Sequence, residues 1–201
     1  MPVDDEDDIL SAIHHPQISL TGQVNDQMVV SLIDQLRKVE AGHGLVAIEM
    51  TTLGGDADMA RRLVVEIDLA RQRLQSRRLI FLGKSLVYSA GVTVMSAFPL
   101  RDRFLLEGTM LLIHGRQMDK TVQLSGPVRE NLAQLRALCH QIETGIHLEE
   151  EGFGRLIEHS RLSMDQLLEK ALYNWYVPAE EALQLDLIGG VVDLSGQCRH
   201  H

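Results

Sequence analysis

Residues 45–51 read Leu-Val-Ala-Ile-Glu-Met-Thr, an almost unbroken apolar run, and Thr52-Leu-Gly-Gly-Asp56 follows as a turn. A strand wetted on one side alternates apolar and polar residues. A near-continuous run is expected of a strand buried in a parallel sheet. The flanking sequence supplies the other parts of such a sheet. Residues 17–22 alternate and end in glycine, a short strand. Residues 25–39 repeat apolar positions at helical spacing (Val29, Leu32, Ile33, Leu36, Val39), and Gly42 and Gly44 close that helix. The pattern then recurs: a helix over 59–74 with a basic outer face, a strand over 78–83, a buried helix over 87–97, and short strands over 103–106 and 110–114. Alternating strands and helices predict an α/β fold with a largely parallel sheet.

After His114 the character changes. Gly126-Pro127 opens a long helix through about Gly145, followed by the charged stretch Glu149-Glu-Glu151 and an apolar segment over 153–159. Ser163-Met-Asp-Gln166 is a capping box ahead of 167–173. Pro178 heads a short helix over 179–185, and 191–194 is a last strand. The long polar-faced helix is expected to project from the core. The domain therefore spans 17–194, between a flexible acidic segment over 1–16, with Asp4–Asp8 solvated, and a tail over 195–201.

Composition narrows the partners. Among 201 residues there are 19 Lys and Arg against 28 Asp and Glu, a net charge of −9, which repels phosphate backbones and argues against nucleic acid. Two cysteines, Cys139 and Cys198, make neither a disulfide framework nor a zinc spacing, and point to a reducing compartment. The most apolar stretch, 79–100, carries Lys84, Ser85, Ser89 and Pro99, too polar for a membrane span. The acidic start lacks the pattern of a secretory signal, so a cytoplasmic protein is expected. No histidine pair has ligand spacing, so no metal is assigned.

Four places carry possible chemistry. Gly54-Gly55, directly after a strand, leaves backbone N–H groups open to an anion, or makes a simple turn. Ser89, in Tyr88-Ser-Ala-Gly91 at a helix start, is placed as a nucleophile beside free N–H groups, or as an ordinary N-cap. His114, at a strand end before a glycine, can reach a cleft as a general base, or be a satisfied half-buried histidine. Asn174, in Tyr173-Asn-Trp-Tyr176, can orient an imidazole or end a helix.

Taken in order, these segments resemble the proteolytic subunit of the Clp protease. Glu49-Met-Thr-Thr-Leu-Gly-Gly-Asp56 is similar to that family's strand ending in Asn-Ser-Pro-Gly-Gly. Tyr88-Ser-Ala-Gly91 resembles its Ala-Ser-Met-Gly turn, and Met110-Leu-Leu-Ile-His-Gly115 its Val-Met-Ile-His-Gln. Pro178-Ala-Glu-Glu-Ala182 and Leu185-Asp-Leu-Ile188 resemble its Ser-Ala-Glu-Glu-Ala and Tyr-Gly-Leu-Ile. Ile18-Ser-Leu-Thr-Gly-Gln-Val24 looks like its first strand. The resemblance spans about 17–193, with Ser89 and His114 25 residues apart.

The resemblance implies a crotonase-like α/β spiral of strand–helix–strand units with a projecting handle helix, assembled as two stacked seven-membered rings. It implies a serine endopeptidase acting on unfolded proteins or peptides, with a separate AAA+ unfoldase consuming ATP and no cofactor. Ser89 matches the nucleophile and His114 the base; the N–H groups of Gly55 and Ala90 match the oxyanion hole. The family's aspartate falls on Asn174. Asparagine can hold the ring but lends no charge to the imidazolium, and in serine proteases that exchange costs about 10⁴ in rate. Leu53 replaces the proline before Gly-Gly, the turn over 83–89 has extra residues, and the start is acidic where the family has an apolar axial loop. Two other readings stand beside the protease: a weak or inactive scaffold subunit, and an acyl-CoA enzyme of the crotonase superfold.

Overall fold

The apolar run becomes β2 (Val46–Thr52), lying between β1 (Ile18–Thr21) and β3 (Leu79–Tyr88) and parallel to both. The computed structural model describes residues 3–74, 77–195 and 197–200. Side chains alternate faces along a strand. Ile48 and Met50 of β2 and Phe81 of β3 join the large core, under α2 (Asp26–Val39), α3 (Ala57–Arg73) and α4 (Ala90–Met95). Ala47, Ile80 and Leu82 face the other way, into a second buried cluster.

That second face is covered by α1 (Val3–His14), whose Ile9, Ala12 and Ile13 are buried against it. Within the segment over 1–16 that was expected to be flexible, the described residues thus include a helix. Without α1, Ala47, Ile80, Leu82, Phe104 and Val192 would present one apolar sheet face to water. Residues 1 and 2 and the side chains of 3–7 lie outside the described residues, and with them most of the Asp4–Asp8 run; Asp8 is exposed.

The strand expected to stop at Gly83 runs on to Tyr88 and forks the sheet. Phe81, Leu82 and Gly83 pair with β4 (Arg103–Leu106), whereas Leu86, Val87 and Tyr88 pair with β5 (Met110–Ile113). Between the two halves Ser85 takes a positive φ of 59°. The apparent extra residues of the 83–89 turn are therefore strand. The buried helix expected over 87–97 shortens to α4, because Val87 and Tyr88 belong to β3. On one branch β4 pairs with β7 (Gly190–Val192), and β7 pairs with β8 (Cys198–His200). The tail expected over 195–201 thus contributes a strand, with residues 196 and 201 outside the described residues. On the other branch β5 pairs antiparallel with β6 (Trp175–Pro178), which the sequence did not announce.

The long helix is α5 (Val128–Ile157), 30 residues, and continues past the expected end at Gly145. An interior glycine costs a helix about 1 kcal/mol. Here Phe153, Leu156 and Ile157 pack against the core and offset the losses at Gly145, Gly152 and Gly154. Leu156 is the one buried residue of α5. The expected capping box is present: Ser163 and Gln166 bond reciprocally at the head of α6 (Met164–Ala171). α7 (Ala179–Gln184) follows Pro178.

Arg103 joins α5 to the sheet. Its guanidinium is buried, with a pKa lowered to about 10 by desolvation, against a smaller opposing effect of Glu158. It donates to the carbonyls of Phe98, Arg155, Leu156 and Leu187 at 2.7–3.1 Å. Two of those carbonyls are in the last turn of α5, the negative end of its dipole. Among the described residues, no helix is long and apolar enough to cross a membrane.

Candidate active site

Ser89 sits where β3 turns into α4, with φ 53° and ψ −112°. A non-glycine residue in that region stores on the order of 1–3 kcal/mol of strain. The turn is held from both sides: Ser89 N–H donates to Leu112 O of β5 at 2.8 Å, and Val92 N–H donates to Ser89 O at 2.9 Å. The Ser89 side chain makes no capping hydrogen bond. Ser89 stands at the N-cap position of α4 without serving as a side-chain cap.

The Gly-Gly turn abuts this serine. A Cβ on Gly54 would stand 2.9 Å from Ser89 Cβ, and one on Gly55 would stand 2.3 Å from Val24 O. Both positions have positive φ, 102° and 152°, so both the space and the backbone conformation require glycine. Val24 bridges this turn as a short parallel pair: Val24 N–H donates to Gly54 O, and Asp56 N–H donates to Val24 O. In a parallel pair the intervening residue points its N–H the other way. Gly55 N–H therefore faces away from Val24, and Gly55 lines the same cavity as Ser89. Ala90 also lines it and is the first residue of α4, whose N–H has no intrahelical partner.

The cavity has a volume of about 510 Å³. Ser89, Ala90 and Ile113 line it, and α5 contributes Leu148, Glu149, Gly152 and Phe153. His114 borders it, half-buried, just past the end of β5. Its Nδ1 lies 2.7 Å from Gly115 O. A carbonyl only accepts, so Nδ1 carries the proton and Nε2 is left as the basic nitrogen. No hydrogen bond joins Ser89 to His114 among the described residues.

Asn174 is placed differently. The β5–β6 pairing ends with Ile113 and Trp175, so His114 and Asn174 follow just beyond its last pair. Asn174 has φ 55°, is exposed, and does not border the cavity; its side chain makes no hydrogen bond to His114. It is the left-handed residue between α6 and β6. The structure thus brings Ser89, His114, Gly55 and Ala90 to one cavity and leaves Asn174 beside it.

The rim holds charges that sequence reasoning passed over. Arg116 pairs with Asp58 at 2.7 Å, Arg61 pairs with Glu151 at 3.2 Å, and Arg116 N–H donates to the Glu149 carboxylate. A signal existed for Glu149. Continued at helical spacing through 157, the long helix puts Glu149 on one face with Phe153 and Leu156.

Neither a family model nor a curated protein matches this sequence. Among solved structures, the fold is similar to that of an asparagine-to-aspartate mutant of ClpP1 from Listeria monocytogenes. The TM-score is 0.68, with 18% sequence identity, over 92% of this chain and 96% of that one. The chain thus has a ClpP-like α/β fold.

Proposed function

We propose that this chain is a serine endopeptidase subunit of the Clp type. The observation that carries the reading is the strained Ser89 turn, bordered within one cavity by His114 and by two outward backbone N–H groups. Ser89 Oγ attacks the scissile carbonyl carbon while His114 Nε2 takes its proton. The negative charge that develops on the carbonyl oxygen is met by Gly55 N–H and Ala90 N–H, donors already in place before the reaction. The imidazolium then gives its proton to the leaving amine, and water repeats the cycle on the acyl-enzyme. The resemblance makes Asn174 the third residue in this scheme, although it lies outside the cavity with no hydrogen bond to His114.

The finer architecture belongs to the same reading. The forked sheet is a crotonase-like spiral, and α5 is the handle that interlocks stacked seven-membered rings. The substrate is an extended polypeptide, supplied in the cytoplasm by a separate AAA+ unfoldase. The test is hydrolysis of a short fluorogenic peptide by the wild-type chain and by Ser89→Ala. The reading expects turnover that falls to background in the variant, with assembly unchanged. Wild-type turnover by Ser89→Ala would remove Ser89 as the nucleophile. The absence of a direct Ser89–His114 hydrogen bond favours a second reading, a weak or inactive scaffold subunit, which expects no turnover from either.

A further inference from the structure

We propose that Glu149 is a positioning residue that acts on His114 through the Gly115–Arg116 peptide group; this rests on the peptidase reading above. The carbonyl of that peptide is Gly115 O, which accepts from His114 Nδ1 at 2.7 Å. The N–H of the same peptide is Arg116 N–H, which donates to Glu149 Oε2. One planar amide therefore lies between an imidazole and a carboxylate. Its two ends polarise together: a carboxylate on the N–H side makes the carbonyl a stronger acceptor.

The neighbouring charges leave Glu149 free for this role. On α3, Asp56 caps its own helix by accepting from Asp58 N–H and Met59 N–H. Asp58 is engaged by the Arg116 guanidinium, and Arg61 by Glu151. Among the described residues Glu149 makes no ion pair, and its recorded partner is the backbone N–H. The absence of a side chain at residue 115 permits the approach: a Cβ there would stand 3.2 Å from Glu149 Oε2.

The chemical consequence follows from the proton ledger. When Ser89 Oγ bonds to the carbonyl carbon, its O–H bond breaks and an N–H bond forms at His114 Nε2. The ring then holds two protons and a positive charge. The Nδ1 proton stays on the ring, and the charge is met along Nδ1–H, Gly115 O, Arg116 N–H and the Glu149 carboxylate. That is the service an aspartate gives directly in a Ser-His-Asp triad, and the one a neutral Asn174 does not supply. Glu149 sits half-buried on α5, so the helix that forms the cavity wall also orients the base.

The test uses the full chain with Glu149→Ala and Glu149→Gln, read by kcat and KM on a fluorogenic peptide and by the nitrogen-15 NMR signal of the His114 ring. That signal is assigned by its loss in His114→Gln. Glu149→Ala is expected to lower kcat about 10- to 100-fold, by analogy with groups that orient a metal-ligating histidine, with KM within about twofold. Glu149→Gln, which keeps an acceptor without the charge, is expected to recover part of the loss. The Nδ1–H resonance is expected to move in the same order. A resonance indifferent to both substitutions overturns the proposal, as does a loss carried by KM instead of kcat. Failure of the peptidase reading is separate: it appears as no Ser89-dependent turnover, and the ring signal still decides whether Glu149 acts on His114.

Discussion

Around Ser89 the chain buries what it has. Met50, Val87, Ala90, Val92 and Ile113 are each 4% exposed or less. Along α5 from residue 128 to 146 no residue is buried at all, and Leu132, Ile142 and Ile146 are 47%, 43% and 50% exposed. One region closes its apolar surface within the chain. The other carries Leu132, Leu135, Ile142 and Ile146 at helical spacing, each 38–50% exposed among the described residues. A stripe of that kind marks a contact with another surface. The site's floor is therefore complete in one copy, whereas the outer half of its wall helix calls for a neighbour.

Removing the stripe is the strongest way to sharpen that contrast. If that neighbour is a second copy, as the proposed function has it, Leu132→Glu with Leu135→Glu is expected to abolish self-association and leave the fold within about 0.5 kcal/mol, since exposed positions contribute little to folding. Sedimentation velocity and thermal melting read the two effects apart. An unchanged oligomer would break the link between exposure and assembly.

The next test acts where the two regions meet. Arg103→Met removes donors from four carbonyls, three of them in buried hydrogen bonds. It is expected to destabilise the chain by about 3 kcal/mol and lower Tm by on the order of 10 °C. The loss should not vary with pH over about pH 6 to 9. The folded-state pKa of Arg103, about 10, is below its ordinary value, and both lie above that range, so both states hold the proton there. Only between those values does the unfolded chain bind more protons, which makes this contribution rise with pH. A pronounced pH dependence below 9 would mean that Arg103 is not the group responsible.

The smallest expected effect is at Asn174. Asn174→Asp is expected to keep or raise kcat/KM, by a few-fold. The site is exposed, so a carboxylate there loses little hydration, and it adds a charged acceptor beside His114. A large loss in an assembled Asn174→Asp variant would show that the asparagine has another role.

The sheet was legible because its central strands are local patterns. The run over 45–51 gave away β2, with Gly54 and Gly55 just past its end, whereas the strand that runs on to Tyr88 just before Ser89 was expected to stop at Gly83. The N-terminal helix was missed although β2 contained the clue. Ala47 in an unbroken apolar run demands cover on the second face, and an acidic segment was read by its charge instead of by Ile9, Ala12 and Ile13. Strands β6 and β8 are short, and they exist through pairing with β5 and β7. That is a tertiary fact which patterns of three or four residues do not carry. Glu149 was hidden for a related reason: its partner is a backbone N–H 33 residues away, and in sequence it is one of three glutamates.

The central claim is that Ser89 is an activated nucleophile. A fluorophosphonate probe tests it directly, since the probe is attacked only by a serine whose proton is being taken. The account predicts one adduct per chain by intact mass, located on Ser89 by peptide mapping and lost in Ser89→Ala and in His114→Ala. An assembled, folded chain that takes up no probe at Ser89 would contradict it, and would leave a ClpP-like scaffold or an acyl-CoA enzyme of the same superfold in its place.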